Sequence, residues 1–196
     1  DRMIAHLILA VREWTDLGLD FGHVAFNAAA AELRAGNFAE RLLEKLDKAR
    51  IPTRCIQMEV TETVFLGRGA EYVERALKVL SENGVRIAPD DFGTGYASLS
   101  HLKAFPVDLL KIDRSFVAHL DGEPGDGAIV DAVVALGRSL GIEVIAEGIE
   151  TSAQHEALKA MGCRYGQGFL YSKPIAAAEV RRLCAGDRLS FSAVAA

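Results

Sequence analysis

Four carboxylates in the sequence follow short apolar segments that are typical of buried β-strands. They are Glu59, Asp90, Asp91 and Glu147, and each comes at the carboxyl end of its segment. Parallel strands bring such ends to one edge of a sheet, where side chains from separate strands can share a site. Several carboxylates at close range repel one another unless cations neutralise them. The pattern therefore predicts that these side chains bind hard divalent cations.

Three further polar residues end neighbouring segments and suggest which chemistry the cations would serve. Asn27 adds an amide oxygen, and an all-oxygen donor set favours Mg²⁺ or Mn²⁺ over zinc. The adjacent Asp90 and Asp91 could serve two ions about 3.5–4 Å apart, an arrangement suited to attack of water on a phosphodiester. Lys111 would add positive charge for the phosphate or hold the attacking water. Gln167 lies in the C-terminal part of the last of these segments.

Each of these residues has a simpler interpretation when it is taken alone. A strand-end Asp or Glu is often a helix N-cap, and Asp-Asp before Phe-Gly is a common opening of a turn. Lys111 could be a solvated lysine, Asn27 could bond neighbouring backbone, and Gln167, between two glycines, could belong to a turn. Their succession at consecutive strand ends favours a functional site. The residue types alone leave the substrate open between phosphodiesters and phosphorylated metabolites.

The elements that would position this site alternate between strand-like and helix-like patterns along the chain. The predicted strands are 24–28, 55–60, 85–91, 109–113, 143–149 and 164–170. The predicted helices are 38–49, 69–83, 126–140, 152–161 and 176–185, and residues 3–14 also have helical apolar spacing. This β-α-β-α order predicts a parallel sheet.

Two α/β architectures are compatible with the predicted strands: a doubly wound open sheet and part of a (β/α)8 TIM barrel. Polar residues at successive strand ends favour the barrel, because its strand ends converge on one face. A complete barrel takes eight strands and about 250 residues. We therefore expect the first two strands to precede Asp1, in a longer protein. One domain is predicted over 1–188, followed by a small-residue tail at 189–196.

Composition excludes several classes of protein. The chain has 22 Lys and Arg residues and 27 Asp and Glu residues. Its net charge of −5 argues against binding of duplex nucleic acid. Cys55, Cys163 and Cys184 are widely spaced, which argues against a disulfide framework or a thiolate zinc site and indicates a reducing compartment. No apolar run reaches the roughly 20 residues of a membrane span. A cytoplasmic domain is the expectation.

Five sequence blocks together resemble one protein family. They are Met-Glu-Val-Thr-Glu at 58–62, Asp-Asp-Phe-Gly-Thr-Gly-Tyr-Ala-Ser-Leu at 90–99, Leu-Lys-Ile-Asp at 110–113, Ala-Glu-Gly-Ile-Glu-Thr at 146–151 and Gly-Gln-Gly-Phe-Leu at 166–170. These blocks resemble the EAL-domain cyclic di-GMP phosphodiesterases. The resemblance implies a modified (β/α)8 barrel whose first strand is antiparallel. It also implies hydrolysis of cyclic di-GMP to linear pGpG with two Mg²⁺ or Mn²⁺ ions.

The resemblance implies a role for each matching residue. Asn27, Glu59 and Asp90 would hold the first ion, and Asp90 would bridge to the second ion together with Asp91. Glu147 would be a further ligand, directly or through a water. Catalysis would involve Glu147 together with Lys111, which would position or deprotonate the attacking water, and Gln167, which would lie near the water or the substrate.

A second group of matching residues would support the site rather than bind the ions. Glu62 and Glu150 resemble supporting carboxylates of the family. Glu62 would fix the loop that contains Phe92, Gly93, Thr94 and Gly95, which in the family links dimerisation to metal binding. The resemblance thus implies a homodimer, and it implies an upstream sensory or GGDEF domain in a full-length protein that a membrane anchor could hold.

The sequence departs from the family pattern in two places. The Glu-Ala-Leu motif, whose Glu is a ligand of the first metal, has no counterpart, so the first ion should bind weakly to this chain alone. Pro89 stands before the paired aspartates, where the family usually has an aliphatic residue and where a central strand would need a backbone donor. The alternative function is therefore a catalytically inactive receptor that binds cyclic di-GMP.

Overall fold

The computed structural model of the protein describes residues 2–61, 64, 69–90, 105–120 and 124–184. The strands in these ranges are β1 (Val24–Asn27), β2 (Ile56–Thr61), β3 (Arg86–Asp90), β4 (Leu109–Ile112), β5 (Glu143–Ala146) and β6 (Tyr165–Gly166). The helices are α1 (Arg2–Asp16), α2 (Ala30–Arg34), α3 (Phe38–Lys48), α4 (Ala70–Glu82), α5 (Arg114–Ala118), α6 (Pro124–Leu140), α7 (Ser152–Ala160) and α8 (Ala177–Cys184), and a 3-10 turn (Thr53–Cys55) precedes β2.

The strands form two parallel sheets whose order follows the chain. One sheet has the order β1-β2-β3 and the other β4-β5-β6. The backbone N–H of Asp108, just before β4, donates to Ile87 O of β3 at 2.9 Å, so the two sheets lie side by side. A doubly wound sheet would reverse its strand order, whereas these strands keep the sequential order of a barrel. The parallel α/β fold is confirmed, and closure into a barrel stays a prediction.

Helices cover the outer side chains of the strands because their apolar residues recur at helical spacing. Leu42 and Leu46 of α3 and Leu77 of α4 are buried in one apolar cluster with Met58 of β2 and Ile87 of β3. A second cluster joins β4 and β5 to α6 and α7, through Leu110, Val130, Val134, Val144 and Leu158. Each sheet therefore has an apolar core on one face, which leaves alternate strand residues free to build a site on the other face.

Each predicted strand has a counterpart among the described residues, but the last two are shorter than predicted. The segment 143–149 ends as a strand at Ala146, and 164–170 is a strand only at Tyr165–Gly166. After Ala146, the backbone N–H of Ile149 donates a hydrogen bond to Gln167 O at 3.0 Å. The segments that follow these two strands are therefore loops that are hydrogen-bonded to each other, not longer strands.

The helices show where the sequence patterns were incomplete. The helix predicted at 126–140 starts earlier than expected, because α6 begins at Pro124, a residue suited to the first turn of a helix. The short helices α2 and α5 were not predicted, since five residues hold little more than one helical turn. Among the helices described, none is both long enough and apolar enough to cross a membrane.

Candidate metal and phosphodiester site

Lys111 lies at the centre of three carboxylates that come from three different strands or strand ends. Its Nζ donates to Glu59 Oε2 at 2.7 Å and to Asp90 Oδ1 at 2.8 Å, and it lies 2.9 Å from Glu147 Oε1. The Lys111 side chain is only 6% exposed. The structure thus brings four of the predicted site residues into direct contact.

Strand alternation and register explain why these side chains meet. In β4, Leu110 and Ile112 are buried in the apolar cluster behind the sheet, so Lys111 between them points to the opposite face. Glu59 is the fourth residue of β2 and Asp90 the last residue of β3. Glu147 follows β5 directly, and its backbone N–H donates to Ile112 O at 3.1 Å. Four neighbouring segments of the fold therefore meet at one point.

The charges of this cluster do not balance. Three ionised carboxylates around one ammonium leave an excess of two negative charges. Burial would lower the pKa of Lys111, but hydrogen bonds to Asp90, Glu59 and Glu147 outweigh that effect and raise its pKa above the ordinary value. Burial raises the pKa of Glu147, and the negative charges of Asp90 and Glu59 add to this rise against the effect of Lys111. The cluster therefore favours further positive charge.

A capping box fixes the loop that follows Glu147. The buried side chain of Gln154, in α7, accepts hydrogen bonds from the backbone N–H groups of Glu150 at 2.8 Å and Thr151 at 3.0 Å. Thr151 Oγ1 accepts in return from the backbone N–H of Gln154 at 3.2 Å. Glu150, predicted to be a supporting carboxylate, is exposed and joins this loop through its backbone. The capping box thus holds in place the loop that continues from Glu147.

A cavity of about 420 Å³ adjoins the cluster. Its lining includes Glu59, Lys111 and Gln167, together with apolar side chains such as Trp14. Gln57, two residues before Glu59, is buried and also lines the cavity, and its Oε1 has no hydrogen-bond partner in the described part of the chain. The structure thereby brings the predicted residue Gln167 to the same space as Glu59 and Lys111.

The remaining predicted residues lie at the edge of this cluster or outside the described ranges. Asn27 ends β1 with an exposed side chain and lies opposite Glu59 in the register of β1 and β2. That register is compatible with the ion that these two residues are predicted to share. The predicted residues outside the described part of the chain are Asp91, Glu62, Phe92, Gly93, Thr94 and Gly95.

Comparison with known protein families decides the classification. The EAL domain family matches residues 1–174, a range that contains all the strands described above. The chain belongs to the EAL domain family. The resemblance indicated by the sequence blocks is thereby confirmed.

Two curated relatives show how this EAL domain compares with longer proteins. The signaling protein YkoW of Bacillus subtilis is 39% identical over 164 residues, which are 84% of this chain and 20% of that protein. The bifunctional diguanylate cyclase/cyclic di-GMP phosphodiesterase MucR of Pseudomonas aeruginosa is 39% identical over 186 residues, 89% of this chain and 27% of MucR. The chain thus spans roughly a fifth to a quarter of these relatives.

Solved structures of EAL proteins share the fold. The EAL domain of Mycobacterium smegmatis DcpA has a TM-score of 0.85 and 39% identity, over 91% of this chain and 80% of that one. The manganese/cy-diGMP complex of Klebsiella pneumoniae BlrP1 has a TM-score of 0.78 and 32% identity, over 87% of this chain and 44% of that one. The two sheets and their helices are therefore the architecture of an EAL domain.

The donor set of this EAL domain matches a hard divalent ion in chemistry and in charge. Carboxylate oxygens are the ligands that Mg²⁺ and Mn²⁺ prefer, and the excess of two negative charges equals the charge of one such ion. Within the described ranges, however, no three His, Cys, Asp or Glu side chains are grouped as a metal site would require. Glu59, Asp90 and Glu147 converge on an ammonium instead.

The pairing of Lys111 with the predicted metal ligands themselves was not expected from the sequence. Lys111 was expected to be a separate charge for the phosphate or the water. One signal was available, because Lys111 stands inside the apolar run Leu109, Leu110, Ile112, and a charged residue in a buried strand needs partners of opposite charge. The predicted carboxylates were the obvious partners.

Proposed function

We propose that this EAL domain hydrolyses one phosphodiester of cyclic di-GMP to linear pGpG, with two divalent ions, Mg²⁺ or Mn²⁺. The observation that carries the proposal is the convergence of Glu59, Asp90 and Glu147 on Lys111 at the carboxyl ends of neighbouring strands. An anionic cluster repels an anionic phosphodiester unless cations lie between them. Dependence on divalent ions follows from that charge.

Carboxylate and amide oxygens would hold the ions. The residues concerned are Glu59, Asp90, Glu147, Asn27 and the sequence-predicted Asp91. When bound, a divalent ion offsets the negative charge of the phosphodiester and makes a nearby water more acidic. The manganese/cy-diGMP complex of the Klebsiella pneumoniae relative supports this choice of ion and ligand.

The remaining site residues would act on the water and the substrate. Lys111 carries the positive charge that an attacking water or a phosphate oxygen needs nearby. Gln167 shares the cavity beside the cluster with Lys111 and offers one donor and one acceptor group to the water or the nucleotide. Attack of water on one phosphorus breaks one ester bond, which opens the cyclic substrate to a linear product.

The same proposal includes the setting of the domain in a longer protein. The bifunctional name of the MucR relative supports an upstream diguanylate cyclase domain, of the GGDEF type, or a sensory domain in that position. We include a homodimer and a cytoplasmic location in the proposal. Size-exclusion chromatography with light scattering tests the dimer, since a monomeric mass at all protein concentrations would contradict it.

The second candidate function is a receptor that binds cyclic di-GMP without cleaving it. One observation favours it: in the described residues the carboxylates surround Lys111 and not a space for a metal ion. A receptor would need the cavity and the cationic group but no turnover. The two candidates therefore differ in product formation and agree in ligand binding.

A turnover assay distinguishes the two functions. The protein is incubated with cyclic di-GMP and Mg²⁺ or Mn²⁺, and pGpG is separated by chromatography. We expect pGpG to form with either ion and to be abolished by EDTA. Binding of cyclic di-GMP with no pGpG under any of these conditions would support the receptor and overturn the enzyme.

Variants assign the activity to this cluster. Asp90→Asn and Asp91→Ala remove predicted ligands, and we expect each to lower turnover about 100-fold or more, because several kcal/mol of charge stabilisation are lost. Glu156→Gln alters an exposed carboxylate of α7 and is the matched control. Equal activity of all these variants would mean that another site makes the product.

A further inference from the structure

The loop after β5 and the loop after β6 are joined by backbone hydrogen bonds. The N–H of Ile149 donates to Gln167 O at 3.0 Å, and the N–H of Leu170 donates to Ile149 O at 2.9 Å. The first loop begins with Glu147, which contacts Lys111, and the second contains Gln167, which lines the cavity beside Lys111. Two candidate site residues therefore depend on this pair of loops for their positions.

Tyr171 ends the second loop, and its side chain lies against the backbone of β6. The N–H of Tyr171 donates to Gly168 O at 3.1 Å, which turns the chain back toward the strand. A Cβ at Gly166 would lie 3.0 Å from the Tyr171 hydroxyl oxygen and 3.4 Å from Cε2 of its ring. Gly166 directly precedes Gln167. The absence of a side chain at Gly166 thus lets Tyr171 pack on the backbone next to Gln167.

The hydroxyl group of Tyr171 is bonded to a histidine of α7. It lies 2.7 Å from His155 Nδ1, and the two groups share a hydrogen bond. The two rings also meet edge to face, with centroids 5.9 Å apart and planes at 81°. Both side chains are half-buried. The hydrogen bond and the ring contact together restrict rotation of the Tyr171 side chain.

Adjacent residues of α7 hold the two loops. Gln154 accepts hydrogen bonds from two backbone N–H groups of the loop that follows Glu147. His155, the next residue, bonds the hydroxyl group of Tyr171, in the loop that contains Gln167. One turn of α7 thus fixes both loops and sets the position of Gln167 relative to Glu147.

We propose that Tyr171 and His155 are positioning residues for Gln167. Their hydrogen bond fixes the Tyr171 ring on the backbone at Gly166, and the ring in turn fixes the direction in which Gln167 reaches the cavity. In the described part of the chain, neither Tyr171 nor His155 lines that cavity, so both act there through Gln167. The inference deepens the function proposed above and rests on it, since Gln167 is assigned there to the water or the nucleotide.

A double-mutant cycle separates positioning from general stabilisation. Tyr171→Phe removes the hydroxyl group and keeps the ring, and Tyr72→Phe, at a half-exposed tyrosine of α4, is the matched control. We expect Tyr171→Phe to lower kcat/KM for cyclic di-GMP about fivefold, the effect of losing one hydrogen bond, and the control to match the wild type. In a Gln167→Ala background, Tyr171→Phe should have no further effect. An equal loss in both backgrounds, or no loss in the wild-type background, overturns the inference.

Histidine variants test the partner of Tyr171. His155→Asn places an amide group near the position of Nδ1 and can keep the hydrogen bond, whereas His155→Leu cannot. We expect kcat/KM of His155→Asn to stay within about twofold of the wild type and that of His155→Leu to fall about fivefold. Equal losses in the two variants would mean that the hydrogen bond does not fix Tyr171, which overturns the inference.

Amide hydrogen exchange gives a readout that does not depend on catalysis. The N–H groups of Ile149 and Leu170 should exchange about fivefold faster in Tyr171→Phe than in the wild type or in Tyr72→Phe, while the amides of β4 keep their rates. Unchanged exchange at both residues overturns the inference while the proposed function stands.

The wild-type protein separates this inference from the function on which it rests. A wild type that binds cyclic di-GMP without cleaving it allows the same cycle to be measured as Kd, with the same expectation for Tyr171→Phe with and without Gln167. A wild type that neither binds nor cleaves cyclic di-GMP overturns the proposed function itself, whatever the exchange rates at Ile149 and Leu170.

Discussion

Ile87 and Asp108 exchange two hydrogen bonds across the boundary between the two sheets. The backbone N–H of Asp108 donates to Ile87 O at 2.9 Å, and the backbone N–H of Ile87 donates to the Asp108 carboxylate at 2.8 Å. A side chain thus replaces one backbone acceptor at the point where a regular ladder between β3 and β4 would begin. This pair keeps β3 and β4 adjacent, and with them Asp90 and Lys111.

Pro89 explains why the sheet divides at this boundary. In a parallel strand, residues two positions apart direct their backbone groups toward the same neighbour, so Pro89 faces β4 as Ile87 does. Proline has no N–H to donate. A regular ladder toward β4 is therefore interrupted one residue before Asp90, while β2 and β3 stay paired from Gln57 to Thr61. The departure from the family pattern at Pro89 thus has a structural consequence.

Asp108→Ala should destabilise the protein by about 1–3 kcal/mol, because the N–H of the fully buried Ile87 loses its acceptor. Asp108→Asn retains a side-chain oxygen and should lose much less. Urea denaturation followed by circular dichroism measures both free energies of unfolding. Equal destabilisation by the two variants would show that the charge of Asp108, and not its hydrogen bond, matters.

The sequence allowed the strands and part of the site to be predicted because both depend on local patterns. Short apolar segments marked β2, β3 and β4, and polar residues toward their carboxyl ends marked Glu59 and Asp90. Parallel topology then brought these ends together, as expected. The family resemblance added cyclic di-GMP as the expected substrate, which residue types alone had left open, whereas the divalent ions were already predicted from the oxygen donors.

Other features depend on distances that a sequence pattern does not contain. Lys111 was predicted to serve the phosphate or the water, but the pattern gave no indication that its three donors would all reach carboxylates. The supporting role of Gln154 was also missed, although Thr151 and Gln154 have the Thr-x-x-Gln spacing of a capping box. Long-range packing determines the partners of Lys111, whereas those of Gln154 are three and four residues away in the chain.

Gln154→Ala should lower the free energy of unfolding by about 1–3 kcal/mol, because the N–H groups of Glu150 and Thr151 lose their acceptor. Gln154→Glu keeps the accepting oxygen and should be nearly neutral. Amide hydrogen exchange at residues 150 and 151 should accelerate in the alanine variant alone. Unchanged exchange at both residues would mean that the capping box does not fix the loop after Glu147.

The ion pair between Arg86 and Glu143 should make stability depend on pH. Burial would raise the pKa of Glu143, but hydrogen bonds from Arg86 and Tyr165 outweigh burial and hold it below its ordinary value of 4.5. A lowered carboxyl pKa stabilises the folded protein above the unfolded value, and that stabilisation is lost as the pH falls through the folded value. The loss should therefore occur below about pH 4.5.

Glu143→Gln isolates this contribution. The variant should be less stable than the wild type at pH 7, and the difference should shrink at pH 3, as measured by urea unfolding at each pH. The effect should be modest, because the Glu143 side chain is 40% exposed to solvent. A difference that is the same at both pH values would assign it to packing rather than to ionisation.

Gly168 has no room for a side chain, and this sets the position of Gln167. A Cβ at Gly168 would overlap the backbone of Ile149, whose N–H donates to Gln167 O at 3.0 Å. Gly168→Ala should therefore destabilise the protein by about 1–3 kcal/mol and weaken cyclic di-GMP binding, since Gln167 must shift.

Gly125→Ala is the control for this variant. An added Cβ at Gly125, in α6, meets no atom within 4 Å, so the substitution should change stability by less than about 1 kcal/mol. Calorimetric unfolding and ligand titration measure both effects. Normal binding by a destabilised Gly168→Ala protein would show that Gln167 does not contact the nucleotide.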